Sequence, residues 1–267
     1  MFQPYTIVER GGEEIAIIGL DIASKTKKSS QPDESTEFLD ELETARKYIA
    51  EVQQQGIEKI VLLTHIQYER DKELVQQLPG VDIVIGGDSH TLLGDFSDFG
   101  MESDGPYPTE LTNADGDKVC IGHAYQYSLV VGEMQAVFEG DKIAECGGRP
   151  HYLLSEDIQV SDGIVTTYEP IKTALEESEV FSFVEPDAEL QSMLQEYQGK
   201  VEEFSAEVLA QAPQQICSQE IDLPRRDGCA DIMSSGAHRL VAEAFLNSVP
   251  EADFAIQNGG GVRSGIS

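Results

Sequence analysis

The sequence predicts an α/β fold built in layers, on three observations. Apolar runs of strand length alternate with helical periodicity from Glu14 to Ile85, giving strand, helix, strand, helix, strand. After Gly94 the pattern changes to shorter alternating segments separated by Gly-Asp turns. Apolar residues make up 40% of the 267 residues, enough for a hydrophobic core and for one large domain or two modest ones.

The elements follow in order. Glu14–Leu20 (EIAIIGL) reads as a buried strand, and Lys25–Glu37, rich in Ser and Lys, as a loop. In Phe38–Gln55 the apolar residues fall at 38, 39, 42, 45, 49 and 52, the spacing of an amphipathic helix that Gly56 stops. Lys59–Thr64 is a continuous apolar strand, Lys72–Leu78 a short helix and Val81–Ile85 the next strand. Lys118–His123, Tyr127–Phe138 and Lys142–Glu145 read as antiparallel strands, and Ile164–Pro170 as a further strand. Asp187–Ala210 is a long helix whose stripe of Leu190, Met193, Leu194, Tyr197, Val201, Phe204 and Val208 is expected to face a core. Ala237–Asn247 is a second helix, and Phe254–Gln257 opens a strand running into Asn258-Gly-Gly-Gly. A domain boundary is placed near Val184, dividing residues 1–183 from 184–267.

The balance of 18 Lys+Arg against 49 Asp+Glu gives a net charge of −31. Such a surface repels nucleic-acid phosphate, which argues against DNA or RNA as a partner. It suits solubility in a salty medium, or a field that gathers cations around a metal site. No run of 18 apolar residues spans a membrane, and MFQPYTIVERGG lacks the charged and apolar regions of a signal peptide. Cys120, Cys146, Cys217 and Cys229 form no CxxC pair, which argues against a zinc knuckle. Three disulfide pairings are possible. Cys120–Cys146 and Cys217–Cys229 are favoured because each pair is close in sequence; four free thiols are the alternative. Disulfides would imply an exported protein.

Two strand ends carry candidate chemistry. Thr64-His65 closes one apolar strand, and Gly86-Gly87-Asp88-Ser89-His90 follows the next. Ligands of open α/β sheets bind at the carboxyl ends of strands. Imidazole and carboxylate are the ligands that zinc, manganese and similar cations take. His65, Asp88 and His90 are therefore expected to converge as metal ligands, whereas a lone strand-end histidine would read as structural. His151 and His238 read as structural or surface residues.

THIQYERD, VDIVIGGDSHTLLGD, VCIGHAYQYSLVVGEM and FAIQNGGGVRSGI, in that order, resemble successive blocks of the 5′-nucleotidase family. That family joins a calcineurin-like metallophosphoesterase domain to a C-terminal nucleotide-binding domain. GGDSHT resembles the NAD nucleotidase branch, where other members have GGHSQ or GGHSN. The resemblance implies the later part of a four-layer α/β/β/α metallophosphoesterase sandwich, followed by the start of an α/β nucleotide-binding domain. It implies hydrolysis of nucleotide or NAD-type dinucleotide phosphates with divalent metal ions such as Zn, Mn or Co, and a periplasmic or exported location.

Carried over by position, His65, Asp88 and His90 resemble family metal ligands, with Asp88 standing where histidine is usual. Asn258, Gly260, Gly261 and Arg263 resemble the residues that hold the nucleotide or nucleoside. The sequence departs from the family in lacking the Asp-x-His, Gly-Asp and Gly-Asn-His blocks that supply the other ligands and the catalytic histidine. Both ends read as cut. Ser128-Leu129 replaces a family Gly-Lys, and His123 matches the NAD nucleotidase branch without an assigned role. Three ligands are too few for a two-metal centre and no general acid is present, so no catalytic residue is assigned and the chain alone is expected to be weakly active or inert. A non-catalytic metal- or nucleoside-binding module, or a remnant, is the alternative. A different metallophosphoesterase is a weaker third reading, against which NGGGVR argues.

Overall fold

The structure is a computed structural model that describes residues 3–155, 168–206, 216, 236–257 and 262. The chain divides into two compact units, Met1–Glu185 and Pro186–Ser267. Among the described residues, no helix is long and apolar enough to cross a membrane.

In the first unit, β1 (Tyr5–Arg10) pairs antiparallel with β2 (Glu13–Asp21). Next come α1 (Ala23–Ser30), α2 (Glu41–Gln53), β3 (Lys59–His65), α3 (Tyr68–Val75), β4 (Ile83–Gly86), β5 (Thr109–Thr112) and β6 (Lys118–His123). One six-stranded sheet has the order β1-β2-β3-β4-β6-β5. Strands β2, β3, β4 and β6 run parallel, so their carboxyl ends share an edge. A second sheet, β7-β8-β9, is built from β7 (Val130–Glu139), β8 (Lys142–Leu154) and β9 (Phe181–Phe183), with α4 (Tyr168–Glu176) against β9.

Side chains of a strand alternate between faces, and that alternation sets the layers. Ala16, Ile18, Leu20, Ile60, Leu62, Val84, Val119 and Ile121 point from the first sheet to one core, where Ala45, Ile49 and Val52 of α2 meet them. Cys120, between Val119 and Ile121, points the other way and joins Cys146 of β8 in a disulfide. The second sheet thus lies across the opposite face at β6, giving the layer order α/β/β/α.

Several expectations are corrected. Of the expected loop Lys25–Glu37, residues 25–30 belong to a helix, Ala23–Ser30, whose opening is satisfied by an acceptor distant in sequence: Ala23 N–H donates to Glu41 Oε1 at 2.9 Å. β6 joins the first sheet, parallel to β4, and not an antiparallel set with β7 and β8. β8 continues past Glu145 to Leu154, through Gly147-Gly148, where strand signals fade. Gly148 has φ +120°, and a Cβ there would sit 1.9 Å from Glu133 O, so only glycine lets the strands approach. Residues 168–170 open α4 rather than close a strand, and 164–167 lie outside the described residues.

The second unit holds α5 (Ala188–Ser205) and α6 (Gly236–Ser248). The Asp187 carboxylate accepts from Leu190 N–H at 2.9 Å and starts α5 as an N-cap. Its expected core stripe is exposed: Leu194 is 66% and Phe204 84% accessible, because nothing among the described residues of the unit packs over it. Val208 lies outside the described residues. Phe254–Gln257 forms no strand, since no described neighbour pairs with it.

Candidate metal centre at the strand ends

His65 is the last residue of β3, beside Asp21 at the end of β2. One strand over, β4 ends at Gly86, and the chain turns through Gly87 and Asp88. Close approach requires glycine at 86 and leaves little room at 87. A Cβ on Gly87 would lie 3.0 Å from His65 Nδ1, and one on Gly86 would lie 2.1 Å from His123 Nε2 and 2.3 Å from Asp71 Oδ2. Asp88 and His90 have φ of +76° and +52°, backbone that non-glycine residues rarely adopt and that clusters at functional sites.

Hydrogen bonds to the start of α3 hold this loop. Gln67 N–H donates to Gly87 O at 3.2 Å and Tyr68 N–H to Ser89 Oγ at 3.0 Å. Ser89 Oγ also meets Thr91 Oγ1 at 2.7 Å. The sequence places α3 later, at Lys72–Leu78, because its N-terminal cap comes from this distant serine rather than from a local residue.

Of the three expected ligands, the structure brings two together. His65 Nε2 lies 3.6 Å from Asp88 Oδ1, with the imidazole exposed and the carboxylate buried. His90 turns its ring onto Tyr127, with centroids 5.3 Å apart. Among the described residues, no group of three or more His, Cys, Asp or Glu surrounds a single point. The structure thus brings His65 and Asp88 together, while the His90 ring stands against Tyr127.

The His65–Asp88 pair fits a divalent cation. Two donors each about 2.1 Å from one tetrahedral ion stand roughly 3.4 Å apart. Asp88 Oδ2 is buried without a hydrogen-bond partner. Burial pushes the Asp88 carboxyl up, but donation from Lys25 and from the Gln67 side chain, with the charges of Lys25 and His65, outweighs it and holds the group below the ordinary 3.8. The oxygen that faces His65, Oδ1, is also the one that carries the Lys25 ammonium, so a cation held between His65 and Asp88 would take the place of Lys25. Sequence reading missed Lys25, on the unexpected helix α1, whose ammonium pairs with Asp88 Oδ1.

It also missed the partner of His123. His123 Nε2 and Asp71 Oδ2 are 2.8 Å apart, with side chains 1% and 0% accessible. Fifty-two positions separate them in sequence, and no local motif marks the pair. The buried side-chain atoms without partners, among the described residues, are Thr64 Oγ1, Asp71 Oδ1, Asp88 Oδ2 and His123 Nδ1. Each such orphan costs about 1–3 kcal/mol. All four lie at or behind the carboxyl ends of β3, β4 and β6, where the fold tolerates that cost. His151, as expected, is structural: its ring bridges Ser182 Oγ at 2.9 Å and Glu133 Oε2 at 3.2 Å.

The nucleotide-site candidates Asn258, Gly260, Gly261 and Arg263 lie outside the described residues, as do Cys217 and Cys229.

No family model matches the chain. It is 32% identical over 282 residues to a probable 5′-nucleotidase of Treponema pallidum, covering 100% of this chain and 47% of that protein. Its fold matches the NAD nucleotidase of Haemophilus influenzae with a TM-score of 0.73 and 31% identity, over 98% of this chain and 49% of that one. A 5′-nucleotidase precursor from Thermus thermophilus matches with a TM-score of 0.66 and 29% identity, over 98% and 46%. The chain spans about half the length of the relatives it matches. The match in order and identity runs through both units, and the chain belongs to the 5′-nucleotidase family.

Proposed function

We propose that this chain contributes part of a two-metal centre, and part of a nucleotide site, to an enzyme that hydrolyses nucleotide phosphates. The observation that carries the reading is the His65–Asp88 pair, with its buried, unpartnered carboxylate oxygen, at the carboxyl edge of a parallel sheet. His65 and Asp88 would hold a divalent cation, and His90 would join them when its ring leaves Tyr127. A bound cation supplies activation of water and neutralisation of phosphoryl charge. Asp88, kept ionised, offers the carboxylate; Gly87 lets the backbone pass close to the His65 ring.

Residues 1–183 are assigned to the metallophosphoesterase part and 184–267 to the nucleotide-binding part. Asn258, Gly260, Gly261 and Arg263 would begin the nucleoside site, Arg263 through its planar, always charged guanidinium. NAD-type dinucleotides are the finer substrate class, on the strength of GGDSHT. Export is supported by the Cys120–Cys146 disulfide, which persists in oxidising compartments.

Two converging donors do not make a two-metal centre, so the chain by itself is expected to bind metal and nucleoside and to turn over AMP weakly or not at all. That same observation favours a second reading, a binding module without catalysis. Calorimetric titration with Mn²⁺ or Zn²⁺ tests the metal site: binding should be lost in His65→Ala and Asp88→Ala. Binding equal to wild type in both variants would refute the assignment. Turnover of AMP by the isolated chain at the rate of a full-length relative would refute the incomplete-centre reading, and a full-length relative is the control for it.

A further inference from the structure

We propose that the buried Asp71–His123 pair is a positioning device that sets the metal-ligand loop 86–90, a role that rests on the metal site proposed above. His123 closes β6 and is the register partner of Gly86, the last residue of β4. Asp71 lies in the first turn of α3, and its Oδ2 meets His123 Nε2 at 2.8 Å directly over Gly86. The Tyr68 ring stands edge-on to His123, with centroids 5.3 Å apart.

The loop is therefore tied to α3 at two points and wedged at a third. Gln67 N–H holds Gly87 O, Tyr68 N–H holds Ser89 Oγ, and the pair spans Gly86. Asp88 sits between the first two ties, and the His65 ring rests on Gly87. Any slide of α3 against β6 moves Gly87 and Ser89, and with them the separation of His65 from Asp88. The pair fixes that slide, because a hydrogen bond between two fully buried groups has one geometry where an apolar contact has many.

The pair is not explained by stability. A buried carboxylate–imidazole contact pays a desolvation penalty that well-packed apolar residues avoid, and here Asp71 Oδ1 and His123 Nδ1 have no partners. A purely structural role would be filled as well by two leucines. A positioning role would not.

The test uses the full chain, its Asp71→Leu/His123→Leu double variant and Asp71→Ala. Thermal unfolding reads the fold. Amide and imidazole NMR resonances of metal-free protein read the loop, and calorimetric titration with Mn²⁺ reads the site. The double variant should unfold at or above the wild-type temperature, yet shift the Gly87–Ser89 amides and the His65 ring. Its Mn²⁺ affinity should fall by about tenfold or more, the range typical of lost second-shell partners. Asp71→Ala should shift the same resonances, and it decides the matter if the double variant does not fold. Unchanged loop resonances in a folded variant would overturn the proposal. Wild type that binds no Mn²⁺ would sink the metal reading instead, and the metal-free spectra would still decide whether the pair positions the loop.

Discussion

Asp82 gives the sharpest quantitative test of the fold. It precedes β4 and is 5% accessible, and its Oδ2 accepts from Ile60 N–H at 2.8 Å. Its backbone continues the tie: Asp82 N–H donates to Ile60 O at 3.1 Å, and Cys120 N–H donates to Asp82 O at 3.0 Å. Burial pushes its carboxyl up; the Ile60 N–H and Lys59 pull it down, and Asp117 and Asp141 add to the rise. The result is a carboxyl pushed up from 3.8 to about 7. At about 1.36 kcal/mol per tenfold change in proton affinity, that gap corresponds to roughly 4 kcal/mol.

The sign follows from proton counting. Between 3.8 and about 7 the folded state holds a proton on Asp82 and the unfolded chain does not. Stability from this group is fully present below 3.8 and falls as pH rises through about 7, opposite to the usual acidic residue. From about pH 5 to about pH 8 the loss is roughly 3 kcal/mol. Asp82→Asn keeps an acceptor for Ile60 and removes the ionisation. Urea unfolding followed by circular dichroism should show the variant gaining roughly 3 kcal/mol on wild type over that pH range. Stability profiles that stay parallel, within about 0.5 kcal/mol, would refute the raised carboxyl and the burial behind it.

Three further outcomes are expected. The Cys120–Cys146 bridge closes a separation of 26 residues, so Cys120→Ala/Cys146→Ala should cost about 3.5 kcal/mol in denaturant unfolding; no loss would argue that the two sheets are held apart from the bridge. Gly86→Ala would drive a Cβ into both His123 and Asp71, so it should lower the melting temperature sharply, by about 3 kcal/mol or more of stability, while Gly19→Ala, which meets nothing within 4 Å, should not. Lys25→Met removes the ammonium on Asp88 Oδ1, so calorimetry should find Mn²⁺ bound several-fold more tightly; weaker binding would mean that Lys25 supports the site rather than competes for it.

The sequence was readable where one periodicity dominates. The runs at Glu14–Leu20, Lys59–Thr64 and Lys118–His123 are strands because their apolar residues have no other place to go, and α2 follows from Leu42, Ala45, Ile49 and Val52 on one face. Elements specified by tertiary partners were not readable. α1 depends on Glu41, α3 on Ser89, and β5 and β9 are too short to carry a pattern of their own. The candidate site divides in the same way. His65 and Asp88 stand at ends of legible strands, whereas the ring of His90 is set by a backbone angle and by Tyr127. Asp71 and His123 meet through a helix placement that no local signal encodes.

Where sequence and structure disagree about burial, the disagreement has a direction. A continuous apolar run such as KIVLLT is the mark of a strand covered on both faces. In this chain Ile60 and Leu62 are covered, while Leu63 is 52% exposed and its neighbour Ile85 is 47% exposed. The second sheet covers that face at β6 and not at β3 and β4. The stripe of α5 repeats the mismatch, with Leu190, Met193, Leu194 and Tyr197 patterned for a core and left in water. Both surfaces carry apolar residues at the periodicity of a buried strand and a buried helix, and contiguous exposed apolar surface marks a place of contact. The candidate metal site is of the same kind: a His65–Asp88 pair, a carboxylate oxygen without a partner and no third donor around it among the described residues. All three are features of one kind: apolar patterning and ligand chemistry that call for more partners than the described residues supply.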